Sequence, residues 1–298
     1  MKNISKVVIA QDASVFQGHT IRQDVVNRML TAGITKLVGT SAPIAAWKSV
    51  FRPTDVVGLK INCLAGRGLS THREVVEAIV AGLNTAGIAD EQILVWDKAN
   101  RDLKRAGFVI NTGRRGVKCF GTDALRQGYE TTPSSAGQIG SLFSTLLSTH
   151  CSATINAPIL KDHDLAGVSI GMKNFYGAIH NPNKYHLNNC NPYIADLNTH
   201  PYIRERVRLT ICDALVPQYH GGPGFKPRFT WQYGAILLSF DPVALDAVGA
   251  DILAQKRQER GMKSFREVGR YPEYIHTAAS YGLGEDDLSK IEIVYCAT

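Results

Sequence analysis

No stretch of this sequence approaches 18 consecutive apolar residues, so a membrane-spanning helix is excluded and no membrane insertion is expected. The first residues, MKNISKVVIAQDASV, have a charged front but neither an apolar core nor a cleavage site. The chain as it stands is therefore expected in the cytoplasm; a periplasmic protein whose leader had been removed would read the same way. There is no CxxC pair and no iron–sulfur run among the six cysteines, at 63, 119, 151, 190, 212 and 296. Cys119, Cys151 and Cys212 lie in β-like strings and read as buried thiols, whereas Cys190, in HLNNCNPY beside histidines, reads as a ligand or reactive thiol. A disulfide framework is not expected in a chain of this length and spacing. Neither GxxxxGK[ST] nor GxGxxG occurs, which excludes a Walker loop and a dinucleotide fingerprint. The net charge of +7 is spread over small clumps (101–105, 114–115, 204–208, 256–260) with few interleaved aromatics. That argues against nucleic-acid binding and suits the steering of a small anionic molecule. Low-complexity linkers and fixed-period repeats are also missing, so a single α/β domain over residues 1–298 is expected.

What is present is an alternation of short apolar strings with amphipathic stretches. Strands are predicted at 6–10, 56–61, 93–96, 117–120, 153–156, 208–212, 235–239 and 291–295, and helices at 21–32, 71–86, 137–147, 242–255 and 273–281. In the clearest helix Val75, Val76, Ile79, Val80 and Leu83 recur every three to four residues, and Gly87 ends it. Strand, helix and the strand ILVW make a βαβ unit, which favours parallel pairing. The fold class that follows is α/β, a mostly parallel sheet flanked by helices. Its long irregular active-site loop would run over residues 167–206, too rich in aromatics and aliphatics to be disordered.

Three stretches carry chemistry. GLKINCLAGRGLSTH (58–72) ends a strand with Lys60 and Asn62 and turns through glycines past Arg67 to His72 before a helix. Arg67 would clamp a carboxylate there, though a plain strand-to-helix turn capped by Ser70 or Thr71 fits equally well. NAPILKDHDLAGVSIGMKNFYGAIHNPNKYH (156–186) delivers Lys161, Asp162 and His163 at a strand end, then Lys173, Asn174, His180, Lys184 and His186. Imidazoles converging with lysines suit a metal or acid–base chemistry, and Lys173 among basic and apolar neighbours suits a lysine nucleophile. A lone histidine in such a loop is more simply a hydrogen-bonded residue. The third stretch, ICDALVPQYHGGPGFKP (211–227) with SFDPVALDAVGAD after it, offers Asp213, His220 and Asp241 in supporting roles. Asp241 is most simply a helix cap, and Asp246 would pair with a lysine or arginine.

These three clusters, with PYIADL, resemble the family called domain of unknown function 362 over nearly the whole chain. A more distant likeness is to the catalytic domain of the nickel-dependent lactate racemase. There a histidine is followed ten residues later by a lysine that holds a nickel-pincer nucleotide, with AG, a serine and a glycine between. Here His163 and Lys173 match that pair, with Ala166, Gly167, Ser169 and Gly171 between them. Arg67 would stand for the racemase's substrate-binding arginine. The racemase histidine after the next strand has no counterpart in WDKANR, and its last nickel histidine does not align, which counts against the pincer nucleotide as cofactor. The resemblance implies racemase-like or redox-like chemistry by analogy alone.

The expectation is an enzyme on a small anionic substrate. His163, Lys173 and Lys161 would be catalytic; Arg67, Lys60, Asn62, His72 and Asn174 would bind substrate. His163, His180, His186 and Cys190 would hold a divalent transition metal, and Asp162, Asp213, His220 and Asp241 would support. The alternative is a non-catalytic metal or cofactor carrier built on the same loop. Cofactor identity and oligomeric state are left open.

Overall fold

Strand after strand carries two apolar phases, and the structure, a computed structural model describing residues 4–297, sends them to opposite faces of one sheet. The strands are β1 (Lys6–Gln11), β2 (Val57–Ile61), β3 (Ile93–Trp96), β4 (Lys118–Cys119), β5 (Ala153–Ala157), β6 (Ile159–His163), β7 (Gly167–Ser169), β8 (Val207–Gln218), β9 (Ala235–Ser239) and β10 (Glu292–Cys296). Their order is β10-β1-β9-β8-β5-β2-β3-β4, with β6 continuing along β8 and β7 paired to β6. Strands β8, β5, β2, β3 and β4 run parallel to one another, while β9 lies antiparallel between β1 and β8. The sheet is mostly parallel, and helices cover both of its faces.

Side-chain alternation along a strand decides which helices each residue meets. Val8, Ala10, Ile93 and Val95 join the core under α1 (Gln23–Val38), α2 (Pro43–Val50) and α3 (Arg73–Thr85). Val7, Ile9, Leu94 and Trp96 join the opposite core, under α5 (Gly171–Asn174), α6 (Tyr193–Thr199), α7 (Pro242–Glu259) and α8 (Tyr274–Ser280). A short helix, α4 (Asn100–Ala106), follows β3. Helix α1 stops at Gly39, whose φ of 80° is the left-handed conformation that lets its N–H reach the Thr35 carbonyl.

Two strands break the apolar rule on one face only. In β2, Val57, Leu59 and Ile61 pack into the α1–α3 core, but the other phase reads Gly58, Lys60 and then Asn62. In β5, Ala153, Ile155 and Ala157 do the same, and the other phase is Thr154 and Asn156. Polar residues at buried positions of a central strand cost free energy unless they are used. They point toward α5.

Pro158 separates β5 from β6. Strand β5 is paired to β2 and β8, whereas β6 pairs to β8 and β7 and leaves β2 without that neighbour. An opening results at the carboxyl ends of β2 and β3, where ligands sit in open α/β sheets.

Two predicted elements differ. Residues 137–147 are not a helix: Ser134–Ala136 and Ile139–Ser141 form a hairpin, followed by one wide turn at Leu146–His150. Glu130 N–H donates to the Phe143 carbonyl and Ser144 N–H to Ala178, so cross-chain bonds take the backbone groups a helix would need. The 167–206 segment is also more regular than a loop, since it holds β7, α5, α6 and several single helical turns. Among the described residues, no helix is long and apolar enough to cross a membrane.

Candidate functional site

A cavity of about 530 Å³ lies in that opening. Its walls come from β2 (Lys60, Asn62), the end of β3 (Asp97, Lys98), the start of α4 (Arg101, Asp102), β6 (Lys161, His163), β7 (Ser169), α5 (Lys173, Asn174) and the turns that carry Tyr176, His180 and His186. Five cationic side chains thus face two carboxylates.

The floor is a continuous hydrogen-bonded chain. Lys161 Nζ donates to Asn62 Oδ1 (2.9 Å), and Asn62 Nδ2 donates to Asn174 Oδ1 (3.1 Å). Asn174 Nδ2 reaches the Lys60 carbonyl (3.1 Å) and Asn156 Oδ1 (2.8 Å), while Asn156 Nδ2 closes on the Gly171 carbonyl (2.8 Å). Lys60 Nζ donates to Asp97 Oδ1 (2.8 Å), the Ile61 carbonyl (2.7 Å) and Asn174 Oδ1 (3.2 Å), which fills all three of its donor directions. Gly177 lets this pair close up: a Cβ there would stand 2.9 Å from Lys60 Nζ and 3.0 Å from Asp97 Oδ1.

Lys161 and Lys173 differ from Lys60. Both are buried, and among the described residues neither forms an ion pair. Burial pushes the Lys161 amine down to about 8 against the pull of Asp97, with the charge of Lys173 pushing the same way as burial. Burial likewise brings Lys173 to about 8, against Cys190. Lys173 Nζ donates to His186 Nε2 (3.1 Å), lies 3.8 Å from Cys190 Sγ and sits 4.0 Å over the Tyr176 ring. Because His186 Nδ1 stands 3.1 Å from the Pro182 carbonyl, that nitrogen carries the proton and Nε2 offers its lone pair to Lys173.

His163 is set the other way. The Leu165 and Ala166 N–H groups converge on its Nδ1 (3.2 and 3.3 Å); against the single solvent-exposed Asp164 carboxylate 3.1 Å from the same nitrogen, these two backbone donors favour the proton on Nε2. Burial and the charges of Lys173, His186 and Lys161 push its pKa down to about 2, so the ring is neutral. A histidine held this way donates a hydrogen bond; it is neither a base nor a metal ligand through Nε2. Its ring stacks on His186 at 5.7 Å between centroids.

Cys190 is held by backbone geometry. Asn188, Asn189 and Cys190 have φ of 48°, 55° and 63°, a left-handed turn in three non-glycine residues. Left-handed backbone at a residue with a Cβ costs of order 1–2 kcal/mol. Such strain persists where the surroundings over-determine it, as the Lys173 and Tyr176 contacts do here. Burial raises the thiol's pKa, so it stays protonated.

Helix α5 is anchored from across the core. Asp246 Oδ1 accepts from Gly171 N–H (2.7 Å), and Oδ2 accepts from Met172 N–H (3.2 Å) and Tyr274 OH (3.0 Å). Expected to meet a lysine or arginine, Asp246 instead caps the helix that carries Lys173 and Asn174.

The cavity gathers Lys60, Asn62, Lys161, His163, Lys173, Asn174, His180 and His186, with Cys190 behind Lys173. Other expected residues lie elsewhere. Arg67 is exposed beside Gly107, just past α4, because Gly66, Leu69 and Ser70 hydrogen-bond the 63–70 turn to itself and leave its side chain outside. His72 Nδ1 meets Asp213 Oδ2 at 2.7 Å away from the cavity; burial opposes its charge, but the Asp213 carboxylate outweighs that and raises its pKa. Asp162, on the reverse face of β6, accepts from Gly222 N–H (2.8 Å) and Arg270 Nη1 (3.2 Å). Arg270 also reaches His220 Nδ1 (3.2 Å). Asp241 caps α7 through Val243 and Ala244 N–H.

The expected metal quartet does not assemble. Among the described residues, no group of three or more His, Cys, Asp or Glu side chains is arranged to hold a metal ion. Lys173 occupies the space between His186 and Cys190, and the His180 ring packs edge-on against Tyr129 at 5.1 Å. Asp97, Lys98 and Asn156 went unassigned; the polar phase of β5 was the one local signal, and it pointed only to Asn156.

A family model described as a domain of unknown function, DUF362, matches residues 57–251, more than half of the chain. The chain belongs to DUF362. The matched region begins with β2 and ends within α7, so every strand end around the cavity is inside the DUF362 portion. No curated protein matches the sequence. A solved structure from Thermotoga maritima is similar over 80% of this chain and 60% of its own length, at 11% identity and a TM-score of 0.48. The chain therefore spans less than two thirds of that protein.

Proposed function

We propose that this DUF362 chain is an enzyme acting on a small anionic molecule bound between Lys161 and Lys173. One observation carries the reading: two buried ammonium groups face a cavity, and among the described residues neither has a carboxylate within ion-pair distance. A lysine brought from its ordinary value to about 8 gives up roughly 3 kcal/mol at neutral pH. A bound anion would return that energy by supplying the missing charge. His163 would add an N–H donor, and the Lys173–His186 contact a route for a proton. The proton route favours an enzyme over a carrier, and the donor set around Lys173 gives a carrier no metal to hold.

Thermal unfolding in acetate, oxalate or sulfate, against chloride at matched ionic strength, tests this. At least one of the three is expected to raise Tm by mass action, with the shift lost in Lys161→Met. Equal melting in all four salts would end the proposal.

A further inference from the structure

Lys161 and Lys173 are both buried and both border the cavity, yet their surroundings differ. Lys161 has one acceptor, the amide oxygen of Asn62, which cannot take a proton. Lys173 stands 3.1 Å from a histidine nitrogen whose lone pair is fixed toward it by the Pro182 carbonyl on the far side of the ring. An amine beside a fixed lone pair, flanked by another cation and an aromatic face, meets the conditions for a lysine nucleophile. Lys161 keeps its proton longer in contact with an anion and suits a carboxylate. His163 presents an N–H to the same space. The set pairs a carboxylate binder with an amine nucleophile and a hydrogen-bond donor for an oxygen.

We infer that the substrate is a 2-oxo acid or a related carbonyl-bearing carboxylate, and that Lys173 forms an imine with its carbonyl carbon while Lys161 holds the carboxylate. This rests on the reading of the cavity as an anion site. The step balances without an added oxidant or reductant. The Lys173 nitrogen lone pair forms the N–C bond as the carbonyl π bond breaks onto oxygen, which the His163 N–H supports. His186 Nε2 carries two protons in turn from the nitrogen to that oxygen, the first being the one the Lys173 ammonium gives up to free its lone pair. The C–O bond then breaks, water leaves, and the nitrogen keeps one proton as a cationic imine. That cation draws electrons from the adjacent carbon, the shared basis of isomerisation, decarboxylation and aldol chemistry at 2-oxo acids.

The test exposes the full chain to glyoxylate with cyanoborohydride, followed by intact mass and peptide mapping. Reduction should fix one carboxymethyl group per chain on Lys173, at least about tenfold faster than on the exposed Lys184. Lys173→Arg should lose the rapid label, and acetate should slow it in the wild type. Lys161→Met should need a higher glyoxylate concentration for the same label on Lys173. Should Lys173→Arg unfold, acetate protection of Lys173 in the wild type decides alone. Labelling of Lys173 at the Lys184 rate, or a rapid label that lands on Lys161 or Lys98, overturns the imine. If acetate, oxalate or sulfate still raises Tm in that case, the anion site stands and only the carbonyl inference falls; if none does, both fall.

Discussion

The two faces of β6 handle buried charge in opposite ways. On one, Asp162 is completely enclosed and fully engaged, by Arg270 and by the Gly222 N–H, and Arg270 also ties down the His163 carbonyl. On the other, Lys161 is just as enclosed but touches a single amide oxygen, and among the described residues no carboxylate pairs with it. The strand is the same and the depth is the same. A balanced buried charge holds loops to the sheet; an unbalanced one costs stability and keeps a place for a ligand.

The largest expected effect breaks this comparison directly. Asp162→Ala leaves the half-buried Arg270 without its carboxylate and the Gly222 N–H without its acceptor, and should destabilise the fold by about 2–4 kcal/mol. Lys161→Met removes an uncompensated charge and keeps the volume, so stability should hold or rise, by up to about 3 kcal/mol. Urea unfolding at neutral pH measures both. If Lys161→Met is as damaging as Asp162→Ala, Lys161 is a structural residue and the contrast between the faces is false.

A smaller effect concerns Asp246, which belongs to neither face but sets where Lys173 stands. Burial raises its carboxyl to about 7, against the hydrogen bonds from Gly171, Tyr274 and Met172. A folded-state pKa above the unfolded value means that the folded chain binds the proton more tightly. Its stabilising contribution is complete below about pH 4 and is lost as the pH rises through 7. Asp246→Asn should cost about 1–3 kcal/mol in mildly acidic solution through the weakened cap. The gap from wild type should narrow toward pH 8, where the wild type carries a buried charge and the variant none. Paired unfolding curves at pH 5 and 8 check the sign; a gap that widens with pH would show that the ionised carboxylate is the better cap.

Part of the site was legible because Lys60 and Asn62 close β2, and because Lys161, His163 and Lys173 follow a strand end within a dozen residues. Asp97 and Asp246 were not, for a physical reason. Asp97 meets Lys60 from 37 positions away and Asp246 meets Gly171 from 75, so no local pattern records either contact. The 137–147 stretch has helical spacing, but its backbone groups find partners at 130 and 178, and tertiary pairing overrides a weak propensity. The metal quartet failed differently. Composition brought three histidines and a cysteine together, but only coordinates reveal that an ammonium group sits among them.

The smallest effect separates two arginines that composition alone makes equivalent. Arg67 sits in a glycine-rich turn whose form suggested an anion clamp, yet its guanidinium lies beside Gly107, outside the cavity wall. Arg67→Ala should change stability by no more than about 0.5 kcal/mol, as exposed substitutions do, and leave anion affinity unchanged. Arg101 borders the cavity with its side chain 77% exposed, so its charge acts through solvent on an approaching anion. Arg101→Ala should weaken anion binding by about two- to threefold at low salt, with the difference fading near physiological ionic strength as screening sets in. Calorimetric titration of both variants at two salt concentrations makes the distinction. A salt-sensitive loss in Arg67→Ala rather than Arg101→Ala would mean that the anion enters over the 63–70 turn and that the mouth of the cavity lies on that side.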